Sequence, residues 1–173
     1  MPSKILSAIR ENQIIVFEIS KKNYIEKTYE IIAEVSNKHD NICYVTLNRP
    51  YQTMLKDFAA KKIDSGKFTF IDAVSGGGKN SPGVIFVQSP KSLTDISIDM
   101  SNLLGKKTES FIFDSLSTLL IYSDSMTSIK FVHSIVSKIR AASKKCIFMS
   151  LKEDSGTDMM KDINMFVDKI VPY

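Results

Sequence analysis

Apolar residues in this chain fall into two alternating patterns. Short apolar runs predict seven strands, at residues 13–19, 42–47, 68–73, 84–88, 110–114, 146–151 and 167–171. Helical spacing of apolar residues predicts helices at about 24–37, 93–104, 127–143 and 157–164, with another beginning after Pro50 and a short turn or helix after residue 114.

Strands that alternate with helices, several of them apolar throughout, indicate a mostly parallel sheet covered on both faces. The pattern therefore predicts an α/β three-layer sandwich formed by one domain over residues 1–173. Residues 74–83 contain four of the seven glycines and a proline, and they predict a mobile surface loop. In such folds ligands bind at the carboxyl ends of the strands, so the residues that follow each strand are the candidate site.

Composition narrows the classes of function. Hydrophobic residues make up 43% of the chain without a run long enough to span a membrane, and the first residues lack the features of a signal peptide, so we expect a soluble cytoplasmic protein without membrane contact. The net charge is +4, but 20 of the 23 basic residues are lysines dispersed along the chain and there is no Trp, so nucleic-acid binding is not indicated. Both cysteines, Cys43 and Cys146, lie in apolar runs and are expected to be free and buried.

Half of a phosphate-binding loop follows the first predicted strand. Lys27-Thr28 matches the end of the pattern G-x-x-x-x-G-K-[ST], whereas Lys21 and Glu26 occupy the two glycine positions and the first 65 residues contain no glycine. Glycines let the backbone amides of such a loop approach phosphate, and Glu26 adds a negative charge. ATP affinity is therefore expected to be weak or absent, and the alternative is that Lys27 and Thr28 belong to an ordinary helix.

A second segment connects the pattern to a known superfamily. Residues 111–114 are Phe-Ile-Phe-Asp, followed by Ser115, and they look like the Walker B strand of RecA-type ATPases. Together with residues 44–49 and 166–171, the order of elements resembles the RecA/KaiC superfamily, particularly its archaeal KaiC-like members. The resemblance implies a vestigial ATP or ADP site formed by Lys27, Thr28, Asp114 and Ser115, in which Asp114 would hold Mg²⁺ through a water. Alternatively, Asp114 caps the turn or helix that follows it.

The chain departs from that family at three places. Asn48 and Arg49 stand where active relatives place a pair of acidic residues after the second strand, and neither can act as a base. The phosphate loop lacks its glycines, and no strand follows residues 167–171 to offer cations to a neighbouring subunit. We therefore expect no catalytic residue, no resident metal and no ATPase activity.

Two functions remain open from the sequence. The first is a catalytically inactive RecA/KaiC-like domain that acts as a regulatory, sensory or scaffolding protein, with a protein partner or self-association at the surface around Lys27, Asn48, Arg49 and Asp114. The alternative is a nucleotide-binding switch that keeps ATP or ADP with little or no hydrolysis. An α/β enzyme with an unrelated site has no supporting set of residues, because two His and two Cys at wide spacing form no recognisable constellation.

Overall fold

The structure is a computed structural model that describes residues 2–173. Seven strands span Ile14–Ile19 (β1), Ile42–Thr46 (β2), Phe68–Asp72 (β3), Val84–Phe86 (β4), Ser110–Asp114 (β5), Lys145–Leu151 (β6) and Lys169–Pro172 (β7). Seven α-helices span Lys4–Glu11 (α1), Tyr24–Lys38 (α2), Tyr51–Ala60 (α3), Leu93–Leu104 (α4), Leu116–Tyr122 (α5), Ser125–Ala141 (α6) and Asp158–Asn164 (α7). Short 3-10 turns occupy Lys21–Asn23, Ser65–Lys67 and Lys152–Asp154.

All seven strands are parallel and form one sheet in the order β4-β3-β2-β5-β6-β1-β7. The registers align the carboxyl ends of neighbouring strands, so that Thr46 of β2 lies beside both Asp72 of β3 and Asp114 of β5. The predicted α/β class with a mostly parallel sheet is confirmed. The chain passes from β1 over β6 and β5 to β2, and the crossing leaves a crevice at the carboxyl edge of the sheet.

Helices cover both faces of the sheet and bury two separate apolar layers. Helices α1, α2 and α3 pack on one face, where the layer includes Phe17, Tyr44 and Phe58. Helices α4 to α7 pack on the other face, where Phe113 and Phe148 lie at the centre. Side chains alternate between the two faces along each strand, which explains why strands buried on both faces appear in the sequence as continuous apolar runs.

Helix α1 is the main element that the apolar pattern did not predict. Only Ile5, Ala8 and Ile9 of this helix are buried, which is too short a repeat to stand out in a chain of this composition. Ser3 caps its first turn by accepting a hydrogen bond from the Leu6 amide, and the Lys145 ammonium donates to carbonyl oxygens at its end. The other predicted elements are present with ends that differ by at most two residues.

The glycine-rich segment at residues 74–83 connects β3 to β4 at the edge of the sheet. Gly76 and Gly77 adopt φ angles of +79° and +100°, which only glycine adopts without strain. A bridge between Ser81 and Val84 ends the segment. Its mobility stays a prediction.

Candidate functional site

A cavity of about 620 Å³ opens at the carboxyl edge of the sheet. Its walls come from the first turns of α2, the turn after β2, the end of β5, helix α5 and the residues that follow β6. Thr28, Asn48, Arg49, Asp114 and Ser115 all line it, so five of the six residues that the sequence predicted for the site are brought together.

The Asp114 carboxylate forms the floor of the cavity and is 2% exposed. Its Oδ1 accepts hydrogen bonds from the Tyr24 hydroxyl at 2.5 Å and the Asn48 amide nitrogen at 2.7 Å. Its Oδ2 accepts from the Tyr44 hydroxyl at 2.7 Å. The carboxylate is therefore held by three neutral side chains from α2, β2 and the turn after β2.

Burial dominates the electrostatics of this group. Burial raises the pKa of the Asp114 carboxyl above its ordinary value, and the hydrogen bonds from Tyr24, Tyr44 and Asn48 only partly offset the rise. Burial also raises the pKa of both phenols, and the nearby Asp114 charge adds to that shift. The two tyrosines are thus kept in the protonated form that can donate to the carboxylate.

Asn48 joins the floor to helix α5. Its amide nitrogen also donates to Ser115 Oγ at 3.2 Å, and its carbonyl oxygen accepts from the Thr118 hydroxyl. The turn that carries Asn48 is fixed by Thr46, whose hydroxyl donates to the Arg49 carbonyl and accepts from the Arg49 amide. Local backbone contacts therefore place the Asn48 side chain against Asp114.

Ser115 rather than Asp114 caps helix α5. The Ser115 hydroxyl accepts from the Thr118 amide at 3.3 Å, whereas in residues 2–173 the Asp114 side chain bonds only to other side chains. The Asp114–Ser115 peptide bond is cis. The interpretation of Asp114 as a helix cap is wrong, because its carboxylate points into the cavity floor and the following serine supplies the cap.

The connection from β1 to α2 is a short turn. Ser20 and the 3-10 turn Lys21–Asn23 lead directly into α2, which begins at Tyr24. The segment that matched the phosphate-loop pattern therefore lies mostly in the first turns of a regular helix. The Tyr24 side chain extends from this helix to Asp114 and occupies the space between them.

Lys27 does not line the cavity. Its ammonium contacts the Glu30 carboxylate at 3.1 Å and lies 4.9 Å from the centre of the Tyr173 ring. Thr28, the next residue, does line the cavity, and its buried Oγ1 has no hydrogen-bond partner in residues 2–173.

Arg49 lies at the rim, where its guanidinium is engaged by other side chains. One nitrogen contacts the Asp57 carboxylate at 2.7 Å and another donates to the Tyr29 hydroxyl at 3.0 Å. The Tyr29 hydroxyl donates in turn to Asp57 at 2.5 Å. The Asp57 carboxylate of α3 thus neutralises the Arg49 charge at the rim of the cavity.

Two solved structures share this architecture. Protein PH0321 from Pyrococcus horikoshii, crystallised in complex with an unknown peptide, has a TM-score of 0.69 and 8% identity to this chain, with 92% of this chain and 76% of PH0321 covered. KaiC-like protein PH0186 from the hyperthermophilic archaeon Pyrococcus horikoshii OT3 has a TM-score of 0.60 and 8% identity, with 87% and 67% covered. The fold is KaiC-like. No family model matches the sequence, and no curated protein matches it.

Three tyrosines of this KaiC-like fold were missed as site residues. Tyr24, Tyr29 and Tyr44 all line the cavity, and they sit at positions where an apolar residue would fit the helix or strand pattern equally well. The hydroxyl groups could have been noticed because a buried tyrosine needs a hydrogen-bond partner. Only the fold shows that Tyr24 and Tyr44 share the Asp114 carboxylate as that partner.

Residues 2–173 of the KaiC-like fold contain neither a cluster of metal-binding side chains nor a membrane-spanning helix. In this part of the chain, no group of three or more His, Cys, Asp or Glu side chains is placed to hold a metal ion. None of the described helices is long and apolar enough to cross a membrane.

Proposed function

We propose that this chain is a KaiC-like domain that does not hydrolyse ATP and acts as a regulatory, sensory or scaffolding protein. The observation that carries the proposal is the Asp114 carboxylate, whose two oxygens accept hydrogen bonds from Tyr24, Tyr44 and Asn48. The resemblance noted in the sequence implies that this carboxylate would hold Mg²⁺ through a water. Here three of the roughly four acceptor positions of the carboxylate are already used by the protein.

The chemistry of magnesium supports this interpretation. Mg²⁺ requires near-octahedral oxygen ligands and retains waters that need room and acceptors around the ion. Next to Asp114 the nearest groups are two phenol hydroxyls and an amide nitrogen, all of which present hydrogens to the carboxylate. A magnesium-bound water that donated to Asp114 would have to compete with these donors, and each donor that it displaced would be left as a buried polar group without a partner.

The surroundings of Lys27 leave this residue little capacity to bind phosphate. Its ammonium is paired with Glu30, and the β1–α2 connection consists of Ser20 and a 3-10 turn. The whole connection, Ser20 and the 3-10 turn Lys21–Asn23, is only four residues long, which is too short to wrap backbone amides around a phosphate chain in the way that glycine-rich loops do. Lys27 and the backbone therefore offer little to a triphosphate.

Asn48 and Arg49 support the absence of hydrolysis. Asn48 has no basic atom, and its amide is bonded to Asp114, Ser115 and Thr118. Arg49 stays protonated and is paired with Asp57. Neither residue can take a proton from an attacking water.

A protein partner, or a second copy of this chain, fits a domain that has kept the fold without the catalytic groups. PH0321, which shares the fold, is described in complex with an unknown peptide. That description supports a polypeptide as the partner of this chain as well. The surface around Lys27, Asn48, Arg49 and Asp114 is the proposed place of contact.

The alternative is a nucleotide-binding switch with little or no turnover. The observation in its favour is that Thr28, Asp114 and Ser115 line one cavity at the edge of the sheet where α/β folds bind ligands. In that case ADP or ATP would enter after movement of Tyr24.

A titration with a fluorescent ATP analogue and Mg²⁺ separates the two functions. We expect no saturable signal up to millimolar nucleotide, because no glycine-rich loop surrounds the phosphate position and Asp114 is engaged by Tyr24, Tyr44 and Asn48. Saturable binding below about 100 μM, equivalent to about 5 kcal/mol or more of binding free energy, would overturn it if Asp114→Ala and Lys27→Ala both abolish the signal. Ser97→Ala, on α4 away from the cavity, serves as the control variant.

A further inference from the structure

We propose that the cavity above Asp114 is a binding site for an uncharged, mainly apolar small molecule. This inference rests on the proposed function, because it requires that nucleotide does not occupy the cavity. It makes the chain a sensory domain whose ligand is defined by the chemistry of the cavity walls.

The size and the walls of the cavity suit a small, mainly apolar ligand. Its volume of about 620 Å³ lies within the range of small-molecule sites, about 300–1,000 Å³. Most of the wall is apolar or aromatic, formed by Tyr24, Ile25, Tyr29, Tyr44, Met54, Leu120, Ile121 and Leu151. A ligand that fills such a cavity gains most of its affinity from apolar contact.

The charged side chains that line the cavity favour an uncharged ligand over an anion. Two cations, Lys21 and Arg49, face two carboxylates, Asp114 and Asp154, so the lining has no net charge. Arg49 is further neutralised by Asp57 outside the cavity. A phosphate or carboxylate group at the floor would approach the buried Asp114 carboxylate, and Arg49 is already paired with Asp57. The other lining cation, Lys21, lies in the exposed turn before α2, so the floor disfavours anions.

Most polar groups at the floor of the cavity already have hydrogen-bond partners within the protein. Asp114, Asn48, Ser115 and Thr118 are hydrogen-bonded to one another or to the tyrosines. The exception is Thr28, whose buried hydroxyl lacks a partner in residues 2–173. The floor therefore suits a ligand with one or two hydrogen-bonding groups rather than a highly polar molecule.

The rim of the cavity is unusually apolar for a surface. Ile25 of α2 is 58% exposed and Ile121 of α5 is 77% exposed, and both line the cavity. These side chains stand on two different elements and leave apolar area in water that a bound molecule would cover.

Two probes with the same ring system test the inference. 2-Naphthol is neutral at pH 7 and 2-naphthoate is an anion, so the pair isolates the effect of charge. We expect 2-naphthol to bind saturably with a 1:1 ratio in a calorimetric titration, at least tenfold more tightly than 2-naphthoate. Absence of saturable 2-naphthol binding up to its solubility limit, or equal binding of the two probes, would overturn the inference.

A pair of matched variants locates the binding. Ile121→Lys puts a charged side chain at the rim and should weaken 2-naphthol binding at least fivefold. Ile98→Lys makes the same change at an isoleucine of α4 that is 53% exposed and lines a different cavity, and it should leave the affinity within twofold. Because both side chains are exposed, neither variant should unfold the chain. Equal weakening by both would place the probe elsewhere and contradict the inference.

A competition with ATP and Mg²⁺ separates this inference from the proposed function. ATP that binds saturably and displaces 2-naphthol would overturn the proposed function, and with it the premise used here. A chain that binds neither ATP nor 2-naphthol would overturn this inference alone and leave the proposed function intact.

Discussion

Asp72 and Asp114 end the two strands that flank β2, and both carboxylates are buried, yet they are held in different ways. Asp72 accepts hydrogen bonds from the backbone amides of Tyr51, Val74 and Ser75 at 2.8–2.9 Å, and from the Ser75 hydroxyl. Its carboxylate therefore fixes the start of α3 and the turn that follows its own strand.

The Asp114 carboxylate instead receives all of its hydrogen bonds within residues 2–173 from side chains, supplied by Tyr24, Tyr44 and Asn48. A backbone amide can only donate, whereas a tyrosine hydroxyl can rotate and accept. The two sites thus differ in how well they tolerate a change of hydrogen-bonding partner. Asp72 has a single workable hydrogen-bonding pattern, and Asp114 has several. The hydrogen bonds of the Asp114 carboxylate can therefore rearrange more easily than those of the Asp72 carboxylate.

Asp72→Asn should give the largest loss of stability. The new NH₂ group must face at least one of the backbone amides that now donate to Asp72, so a buried donor loses its acceptor. We expect the free energy of unfolding to fall by about 2–4 kcal/mol, measured by urea denaturation. A loss below about 1 kcal/mol would show that the turn adapts as easily as the Asp114 site does.

Asp114→Asn should cost less, about 1 kcal/mol at pH 7, because Tyr44 can accept a hydrogen bond from the new NH₂ group. The cost should depend on pH in a defined direction. The pKa of Asp114 is raised in the folded state. The contribution of this carboxyl to stability is therefore fully present below its pKa in the unfolded chain, about 4, and is lost as the pH rises through its pKa in the folded chain.

The difference in unfolding free energy between the original chain and Asp114→Asn should therefore shrink as the pH rises from 4 to 8. Urea denaturation of both proteins at several pH values measures it. A difference that grows with pH would mean that the three donors lower the pKa of Asp114, and it would contradict the dominance of burial.

Tyr24→Phe and Tyr44→Phe each remove one donor from Asp114 and retain the ring. We expect each to lower the free energy of unfolding by about 0.5–1.5 kcal/mol and to raise the pKa of Asp114 further. Tyr122→Phe removes a hydroxyl from a half-exposed ring outside the floor and is the matched control. A loss in the control as large as in the two variants would contradict the role assigned to the hydrogen bonds.

Lys27→Ala should have the smallest effect. The Lys27–Glu30 pair is partly exposed and three residues apart on one helix, so its loss should change the free energy of unfolding by about 0.5 kcal/mol or less. Thermal and urea denaturation measure the change. A loss above about 1.5 kcal/mol would show that Lys27 has a structural role beyond the ion pair.

The order of strands and helices was predictable because strands buried on both faces produce apolar runs and amphipathic helices produce a regular repeat. Of the five predicted residues that line the cavity, Thr28 came from the phosphate-loop motif and the other four from the resemblance to the RecA/KaiC superfamily. The rule that ligands bind at the carboxyl ends of parallel strands placed the site at this edge of the sheet. Helix α1 was missed because only three of its side chains are buried, and its stability depends on contacts with Lys145, far away in the sequence.

The interior of the site was not predictable in the same way. Lys27 matched a motif, but its direction depends on Glu30 and Tyr173, which the motif does not include. Tyr24 and Tyr44 meet at Asp114 across 90 and 70 residues of sequence. Such a meeting is a property of strand order, which a pattern of apolar positions does not determine.

Phosphate release from ATP tests most directly our proposal that this KaiC-like fold lacks ATPase activity. The purified chain should be incubated with millimolar ATP and Mg²⁺ and compared with a protein-free blank and with Asp114→Asn. We expect phosphate release at the rate of the blank for both proteins. Release that saturates with ATP in the original chain and disappears in Asp114→Asn would contradict it.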